Sequence, residues 1–238
     1  MPVTDQLYFR QLLSGRDFAV SDPVARQMVN FVYLVGDRQS GEALIVDPAY
    51  GVADLLEVAG ADGMRIVGAL ATHHHPDHVG GQLMGHTIEG VPELLAQAPV
   101  PIHAHEDEAH LIRRVTGASE RDVIGHASGD KIAVGAIEVE LLHTPGHTPG
   151  SQCFLVGDLL ISGDTLFLEG CGRTDLPGSD PAAMYASLQR LASLPDEVAV
   201  FPGHRYSVAS SGTMQAVKEI NMVMKPKSRQ EWLTVFGG

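Results

Sequence analysis

Cysteines, aromatic residues and basic residues are all scarce in this chain. It has 2 Cys, 1 Trp and 5% aromatic residues, and its 16 Lys and Arg stand against 29 Asp and Glu, a net charge of −13 with neutral histidines. Two cysteines without framework spacing argue against a disulfide scaffold and predict a reducing, cytoplasmic location. The negative charge disfavours nucleic acids and anionic lipids as partners, because both repel an acidic surface.

Long apolar runs are lacking as well. No run approaches the roughly 18 residues that span a bilayer, and residues 1–5 lack the basic start and apolar core of a secretory signal. We therefore expect no membrane as a partner. A length of 238 residues suffices for a sizeable core. We predict one domain over residues 1–238, made of two β-rich halves, about 1–125 and 126–238.

Short apolar runs alternate with helical patterns in both halves. Apolar runs on either side of Gly135-Ala136 and of Gly157 predict two hairpins, and Asp180 before Pro181 predicts a capped helix start. The predicted elements are strands at 31–35, 42–48, 65–72, 131–134, 137–142, 152–156 and 158–161, and helices at 51–59 and from Asp180 onward.

Histidine is abundant and clustered, in contrast to the residues above. The segment 73–78 places four side chains of the types that bind zinc or iron within one short turn, namely His73, His75, Asp77 and His78. His73 and His75 lie two residues apart and project to one side, whereas Asp77 and His78 diverge, so the segment predicts two metal positions. A solvated surface loop is the alternative interpretation.

Three distant apolar runs end in the same residue types. One run leads into a turn rich in Pro and Gly, residues 143–150, that would hold an imidazole, a second ends at Asp164, and a third ends at His204. Sites in layered α/β proteins gather at the carboxyl ends of strands. We therefore expect these three side chains to join the 73–78 cluster.

This pattern resembles the metallo-β-lactamase superfamily, and within it the glyoxalase II branch. The resemblance rests on His-x-His-x-Asp-His followed by a distant His, an Asp and a final His, and it covers about residues 29–206. It implies an α/β fold, a four-layer αβ/βα sandwich with the metal site at one edge between the two sheets. The segments that match are 72–81, 143–151, 163–167, 170–173 and 202–206.

The resemblance also implies a ligand set for two divalent metal ions, zinc in the first place and iron or manganese as alternatives. Asp164 would bridge the two ions, because a carboxylate has two oxygens. The first ion would take His73, His75 and His147, and the second Asp77, His78 and His204.

The expected activity is hydrolysis by a metal-activated hydroxide. Two cations about 3.5–4 Å apart lower the pKa of a shared water and polarise a carbonyl, and Asp77 and Asp164 are the catalytic carboxylates that hold them. A small-molecule thioester is the predicted substrate, since a thiolate leaves most easily. The resemblance implies that Arg173 and Tyr206 contact this substrate, although an Arg173–Asp175 ion pair with a structural role is an alternative.

Three other functions stay open at this point. Persulfide dioxygenases share the segment 170–175 and use a single iron, which His73, His147 and Asp164 would bind here. A lactonase of the same fold is the second alternative. A non-enzymatic metal-binding protein is the third, and it predicts four protein ligands around each ion instead of open positions.

The remaining segments predict less. Residues 82–100 suggest a flap over the site with a short helix, or a surface insertion for oligomer contacts. Only 34 residues follow His204, so we expect no separate helical domain for glutathione, and a homodimer remains open. Histidines 74, 86, 103, 105, 110, 126 and 143 are interpreted as surface residues or as partners of the ligands, with His143 the best candidate for a partner.

Overall fold

The structure, a computed structural model, describes residues 5–226 and 228–237. The predictions that fall on residues 1–4, Lys227 and Gly238 lie outside this part of the chain. Within it, the strands are β1 (Leu7–Leu13), β2 (Phe31–Asp37), β3 (Glu42–Val46), β4 (Arg65–Leu70), β5 (Gly81–Leu83), β6 (His86–Ile88), β7 (Ile102–His105), β8 (Val123–His126), β9 (Lys131–Val134), β10 (Ile137–His143), β11 (Gln152–Val156), β12 (Leu159–Gly163), β13 (Ala199–Pro202) and β14 (Gly212–Thr213).

The helices lie between and after these strands. They are α1 (Pro23–Met28), α2 (Val52–Ala61), α3 (Pro76–Val79), α4 (Val91–Gln97), α5 (Glu106–Thr116), α6 (Pro181–Ala192), α7 (Met214–Ile220) and α8 (Arg229–Phe236), with a 3₁₀ helix at Met222–Met224.

Two six-stranded sheets organise the described residues. The first has the order β1-β2-β3-β4-β7-β8 and the second β14-β13-β12-β11-β10-β9, while β5 and β6 form a separate hairpin. The hairpins predicted in the second half are confirmed, since β9 pairs with β10 and β11 with β12, both antiparallel. The helix predicted from Asp180 is confirmed as α6, and the Asp180 side chain accepts from the backbone of Ala182 and Ala183.

The alternation of side chains along the strands explains how the sheets are covered. On β2, Phe31, Tyr33 and Val35 face the other sheet, and Val32 and Leu34 face the helices. Successive strand residues point to opposite faces. A run that is apolar at every position is therefore buried on both sides, as residues 31–35 of β2 are.

Three apolar clusters separate four layers. The first cluster lies between the first sheet and helices α2, α4 and α5. The second joins the inner faces of the two sheets, and the third lies between the second sheet and helices α6, α7 and α8. Helix, sheet, sheet and helix layers are the predicted αβ/βα sandwich, which is therefore confirmed.

The parallel strands fix where the functional loops emerge. β3 pairs parallel with β4 in the first sheet, and β12 pairs parallel with β13 in the second. Their carboxyl ends lie at one edge of the sandwich, and a bridge between Asn30 and His204 connects the two sheets there. Loops that leave these strand ends meet in one place.

Candidate metal centre

Each predicted ligand follows the carboxyl end of a strand or lies in the loop beyond it. β4 leads to His73 and His75, and α3 then carries Asp77 and His78. The other three ligands come from the second half. They are His147 in the loop after β10, Asp164 directly after β12 and His204 shortly after β13.

The structure brings the first three histidines together. His73 Nε2 lies 3.0 Å from His75 Nδ1, which lies 3.0 Å from His147 Nε2. One nitrogen of each ring lies within 4.8 Å of the others. Imidazole nitrogens converging at this spacing are suited to zinc or iron, which bind neutral histidine at about 2.0–2.1 Å.

A second group of three forms beside the first. His78 Nε2 lies 3.2 Å from His204 Nε2, and Asp77 Oδ2 lies 3.4 Å from His204 Nε2. All three side chains are buried. Buried ionisable groups at this density are unfavourable unless they are paired or bind a metal, so the second group fits a cation as well as the first does.

Asp164 lies between the two groups. Its Oδ2 is 3.7 Å from His147 Nε2 in the first group and 3.4 Å from His204 Nε2 in the second. Its Oδ1 is buried and has no hydrogen-bond partner among the described residues. A buried carboxylate oxygen without a donor is unfavourable, and a bound cation would remove that cost.

Two glycines allow this close packing around Asp164. A Cβ at Gly203 would lie 2.4 Å from Asp164 Oδ1, and a Cβ at Gly172 would lie 2.1 Å from the Asp164 carbonyl oxygen. A larger side chain at Gly203 would displace this carboxylate, and one at Gly172 would displace the Asp164 backbone or the His147 ring. Both glycines are therefore required, because the backbone at each of these positions lies directly against Asp164.

Hydrogen bonds at the opposite ring nitrogen orient the histidines. His147 Nδ1 donates to the carbonyl of Arg173 at 2.8 Å, and His204 Nδ1 donates to that of Met28 at 2.8 Å. His78 Nδ1 donates to a carboxylate at 2.9 Å. With Nδ1 engaged in these hydrogen bonds, Nε2 is the ring nitrogen that faces the site, which is the usual arrangement of a metal-binding histidine.

That carboxylate is Asp47, which the sequence analysis did not single out. Besides His78, it accepts from the backbone N–H and the hydroxyl of Thr72, each at 2.7 Å. The Thr72 oxygen in turn lies 3.0 Å from His73 Nδ1. Asp47 thus orients one histidine of each group, and its φ of 54° shows that the backbone is strained to place it there.

Asn30 is the second residue that the sequence analysis missed. Its amide nitrogen donates to Asp77, to the carbonyl at 3.0 Å and to Oδ2 at 3.2 Å. Tyr50 donates from its hydroxyl to the Asn30 Oδ1 at 3.3 Å. The amide therefore fixes the carboxylate of Asp77 from the side of the first sheet.

Glu108 is the third residue that the sequence analysis missed. It connects the two loops that carry the first histidine group. This fully buried carboxylate accepts from the His74 backbone N–H at 2.7 Å and from its Nδ1 at 2.5 Å. It also accepts from the Thr148 hydroxyl at 3.0 Å and the Gly150 N–H at 2.9 Å. His74 points away from the ligands, as predicted.

The charges of the site reinforce one another. Burial alone would lower the pKa of His78, but Asp77 and Asp164 outweigh it and raise that pKa to about 10. Burial alone would raise the pKa of Asp164, but His204 and His78 outweigh it and hold that pKa far below its usual range. Burial alone would raise the pKa of Asp77 as well, but His78 and His204 outweigh it and lower that pKa. Both carboxylates are therefore anionic at neutral pH, the form in which they bind a cation.

The cysteines do not supply a nucleophile. Burial raises the pKa of Cys153 to about 11 and that of Cys171 to about 12. Both are thiols at neutral pH, whereas a catalytic cysteine reacts as the thiolate. This agrees with their interpretation as core or turn residues.

A pocket of about 590 Å³ opens onto both groups of ligands. Arg173 and Tyr206 both line it, and a contact of either with a substrate stays a prediction. The Tyr206 ring stacks on His204, with centroids 4.8 Å apart and planes 6° apart. Arg173 donates from Nε and Nη2 to the two oxygens of Asp175, each at 2.8 Å, so the ion pair proposed as an alternative is present.

The other histidines lie outside the site. His143 donates from Nε2 to the Pro149 carbonyl at 2.9 Å and stacks on His105, so it supports the loop after β10 without contacting a ligand. His105 is buried and accepts from the Asp107 N–H at the start of α5, which corrects its interpretation as a surface residue. His103 and His126 contact each other at 2.9 Å.

The fold and this site define a class of protein. The sequence profile of the metallo-β-lactamase superfamily matches residues 25–204, three quarters of the chain. The chain belongs to the metallo-β-lactamase superfamily.

Individual relatives support the glyoxalase II-like branch. A hydroxyacylglutathione hydrolase from Alkalilimnicola ehrlichii is 36% identical over 202 residues, which cover 84% of this chain and 71% of that protein. A probable polyketide biosynthesis zinc-dependent hydrolase, BaeB from Bacillus velezensis, is 28% identical, and the match covers 86% of this chain and 85% of that protein. The chain spans about two thirds of the length of several hydroxyacylglutathione hydrolases that it matches.

Among solved structures, ETHE1 from Myxococcus xanthus is similar over nearly the whole chain. The TM-score is 0.77 at 28% identity, and the match covers 97% of this chain and 90% of that one. The prediction of a metallo-β-lactamase relative with glyoxalase II and persulfide dioxygenase likenesses is confirmed. No helix among the described residues is long and apolar enough to cross a bilayer.

Proposed function

We propose that the protein is a metal-dependent thioester hydrolase with two metal ions. The observation that carries this proposal is the second group, Asp77, His78 and His204, which is as buried and as convergent as the first. A single iron held by His73, His147 and Asp164 would leave that group without a function. Relatives named as a hydroxyacylglutathione hydrolase and a zinc-dependent hydrolase support the same reaction class.

When bound, a pair of cations lowers the pKa of water and polarises the thioester carbonyl. The chain's own side chains would hold that pair in place. Asp164 extends to both groups, Asp77 is fixed by Asn30, and Asp47 orients His73 and His78. In the net reaction one water adds to the acyl carbon, the C–S bond breaks, and the sulfur leaves as a thiolate that takes up a proton.

The substrate we propose is a small-molecule thioester in the cytoplasm. The pocket size is typical of a small-ligand site, and both described cysteines are free, as expected in a reducing compartment. The net charge of −13 gives neither a nucleic acid nor an anionic membrane a favourable approach. We treat the two β-rich halves as one domain, since both supply ligands.

A persulfide dioxygenase is the second candidate, and the likeness to ETHE1, a persulfide dioxygenase, favours it. The two functions differ in whether His204 is needed. For the hydrolase we expect His204→Ala to lower kcat/KM for S-lactoylglutathione by at least about 100-fold, because one cation loses a ligand beside the bridging carboxylate.

The test combines two assays on the same protein preparations. Thioester hydrolysis is followed without oxygen, and oxygen uptake is followed with glutathione persulfide, for the unmodified protein and for His204→Ala. His110→Ala is the matched control, because His110 is an exposed histidine outside the site. Oxygen uptake that persists in His204→Ala, without hydrolysis by either protein, would replace the hydrolase by the dioxygenase.

A further inference from the structure

The β5–β6 hairpin, residues 81–88, carries an unusual residue at its tip. Leu83 pairs with His86, which leaves Met84 and Gly85 as a two-residue loop. Both have positive φ, 48° and 85°. A two-residue loop of this type favours Asn, Asp or Gly at its first position, because other side chains are strained at positive φ.

Met84 is unfavourable at this position for a second reason. Its side chain is 95% exposed, although it is apolar. At the base of the same hairpin, Ile88 is only 2% exposed, and β5 packs on α3 and α5. The hairpin is thus anchored at its base, while a Cβ at Gly85 would meet nothing within 4 Å.

The tip belongs to the pocket over the metal centre. Leu83 and Met84 both line it, together with Met28, Phe167 and Leu176. These five apolar side chains face the space next to the ligands. Strain and exposure that are retained at one residue of a binding pocket point to a role in that pocket.

The charges of the pocket favour an apolar ligand over an anionic one. Apart from the metal ligands, its described lining carries only Glu169 and Arg173 as charged residues. The guanidinium of Arg173 donates two hydrogen bonds to Asp175. An anionic carrier therefore meets an arginine that is already paired and a second acidic group, whereas an apolar chain meets thioether, alkyl and aromatic side chains.

We propose that Met84, with Leu83, forms an apolar subsite for the alkyl chain of the thioester substrate, so that Met84 determines chain-length specificity. This inference rests on the proposed hydrolysis. The chain belongs to either side of the thioester, the acyl group or the thiol.

Two substrate series distinguish an alkyl chain on the acyl group from one on the thiol. The acyl series consists of acetyl to octanoyl thioesters of N-acetylcysteamine, and the thiol series of S-methyl to S-hexyl thioacetates. In one series kcat/KM should rise about twofold per added CH₂, which is less than the about fourfold expected for full burial of a methylene. The series that shows the rise identifies the side that occupies the subsite.

Met84→Asn is the decisive variant, because its effects on stability and specificity are opposite. Asn-Gly is the preferred sequence for this turn, so the midpoint of thermal unfolding should stay the same or rise. The preference for the longest over the shortest chain should fall at least about fivefold. Met84→Leu should keep most of the preference, and Met222→Asn, which changes a 63% exposed methionine outside the pocket, should keep all of it.

A direct binding measurement separates this inference from the proposed function. Calorimetry with S-octyl-N-acetylcysteamine, a thioether that cannot be hydrolysed, should show at least fivefold weaker binding to Met84→Asn. If no thioester is hydrolysed, the proposed function fails and the calorimetry alone decides the subsite. A flat chain-length profile of the unmodified protein, or equal chain preference and equal thioether binding in Met84→Asn, would overturn the subsite.

Discussion

Asp164→Ala should abolish turnover, with a loss of at least about 1,000-fold in kcat/KM. Asp164 extends from the first histidine group to the second, at 3.7 Å from His147 Nε2 and 3.4 Å from His204 Nε2. Without it, the two groups would hold five histidines and one carboxylate, with no shared ligand. We expect both turnover and bound metal to decrease, as measured by thioester assay and metal analysis on the same sample.

Asp164→Asn separates the effect of the negative charge from that of the side-chain shape. The amide keeps one oxygen and the volume of the side chain but loses the negative charge, so metal binding should weaken while the fold is retained. Asp196→Ala is the control, because Asp196 pairs with Lys218 on an exposed surface, where an ion pair contributes about 0–1 kcal/mol. Undiminished turnover in Asp164→Ala would refute the assignment of the whole site.

Glu108→Ala should lower the free energy of unfolding by about 3–5 kcal/mol. The carboxylate is fully buried and accepts four hydrogen bonds, two from His74 and one each from Thr148 and Gly150. Removing it leaves those donors buried without an acceptor, which is costly for each of them. Denaturant unfolding with an unchanged m-value measures the effect.

The same carboxylate should also influence metal affinity. His74 lies between His73 and His75, and Thr148 follows His147, so Glu108 holds the backbone on which three ligands are mounted. Loss of a residue that orients ligands typically weakens metal binding about 10–100-fold. Competition with a chelator measures this affinity independently of turnover.

A matched pair of Glu→Gln variants separates the effect of the buried carboxylate from that of an exposed one. Glu108→Gln replaces one accepting oxygen by an amide that faces a donor, whereas Glu106→Gln makes the same change at an exposed residue of the same helix turn. Only the former should lose stability and metal affinity. Equal behaviour of the two variants would contradict the role of Glu108.

The ligands could be predicted from sequence because their pattern is local. His73 to His78 form one motif, and His147, Asp164 and His204 each follow an apolar run of strand length. Parallel pairing then brings these strand ends to one edge. Strand positions and residue chemistry indicated the region, whereas the choice of His147 and the division of the seven side chains between two ions came from the resemblance to the superfamily.

The residues that support the ligands could not be predicted in the same way. Glu108 contacts His74, 34 residues away, and Thr148, 40 residues away. In the sequence it belongs to an acidic first turn of a helix, Glu106 to Glu108, which is equally typical of an exposed helix start. The position of Asp47 was a usable signal, because Asp47 follows the apolar strand β3 just as the predicted ligand Asp164 follows β12.

The segment 82–100 was predicted only in outline. A flap and a short helix were expected, and the structure has the β5–β6 hairpin and α4. The hairpin was not predicted because its turn, Met84-Gly85, lacks the Asn or Asp that indicates such a turn. The local rule failed at the position to which we assign specificity, as is common at functional sites.

The number of metal ions per chain tests the central claim most directly. Protein saturated with zinc or iron and freed of excess metal is analysed by native mass spectrometry and elemental analysis, alongside Asp77→Ala. We predict two ions per chain for the unmodified protein and one for Asp77→Ala, because Asp77 belongs to the second group alone. One ion per chain in both proteins would contradict the two-metal hydrolase.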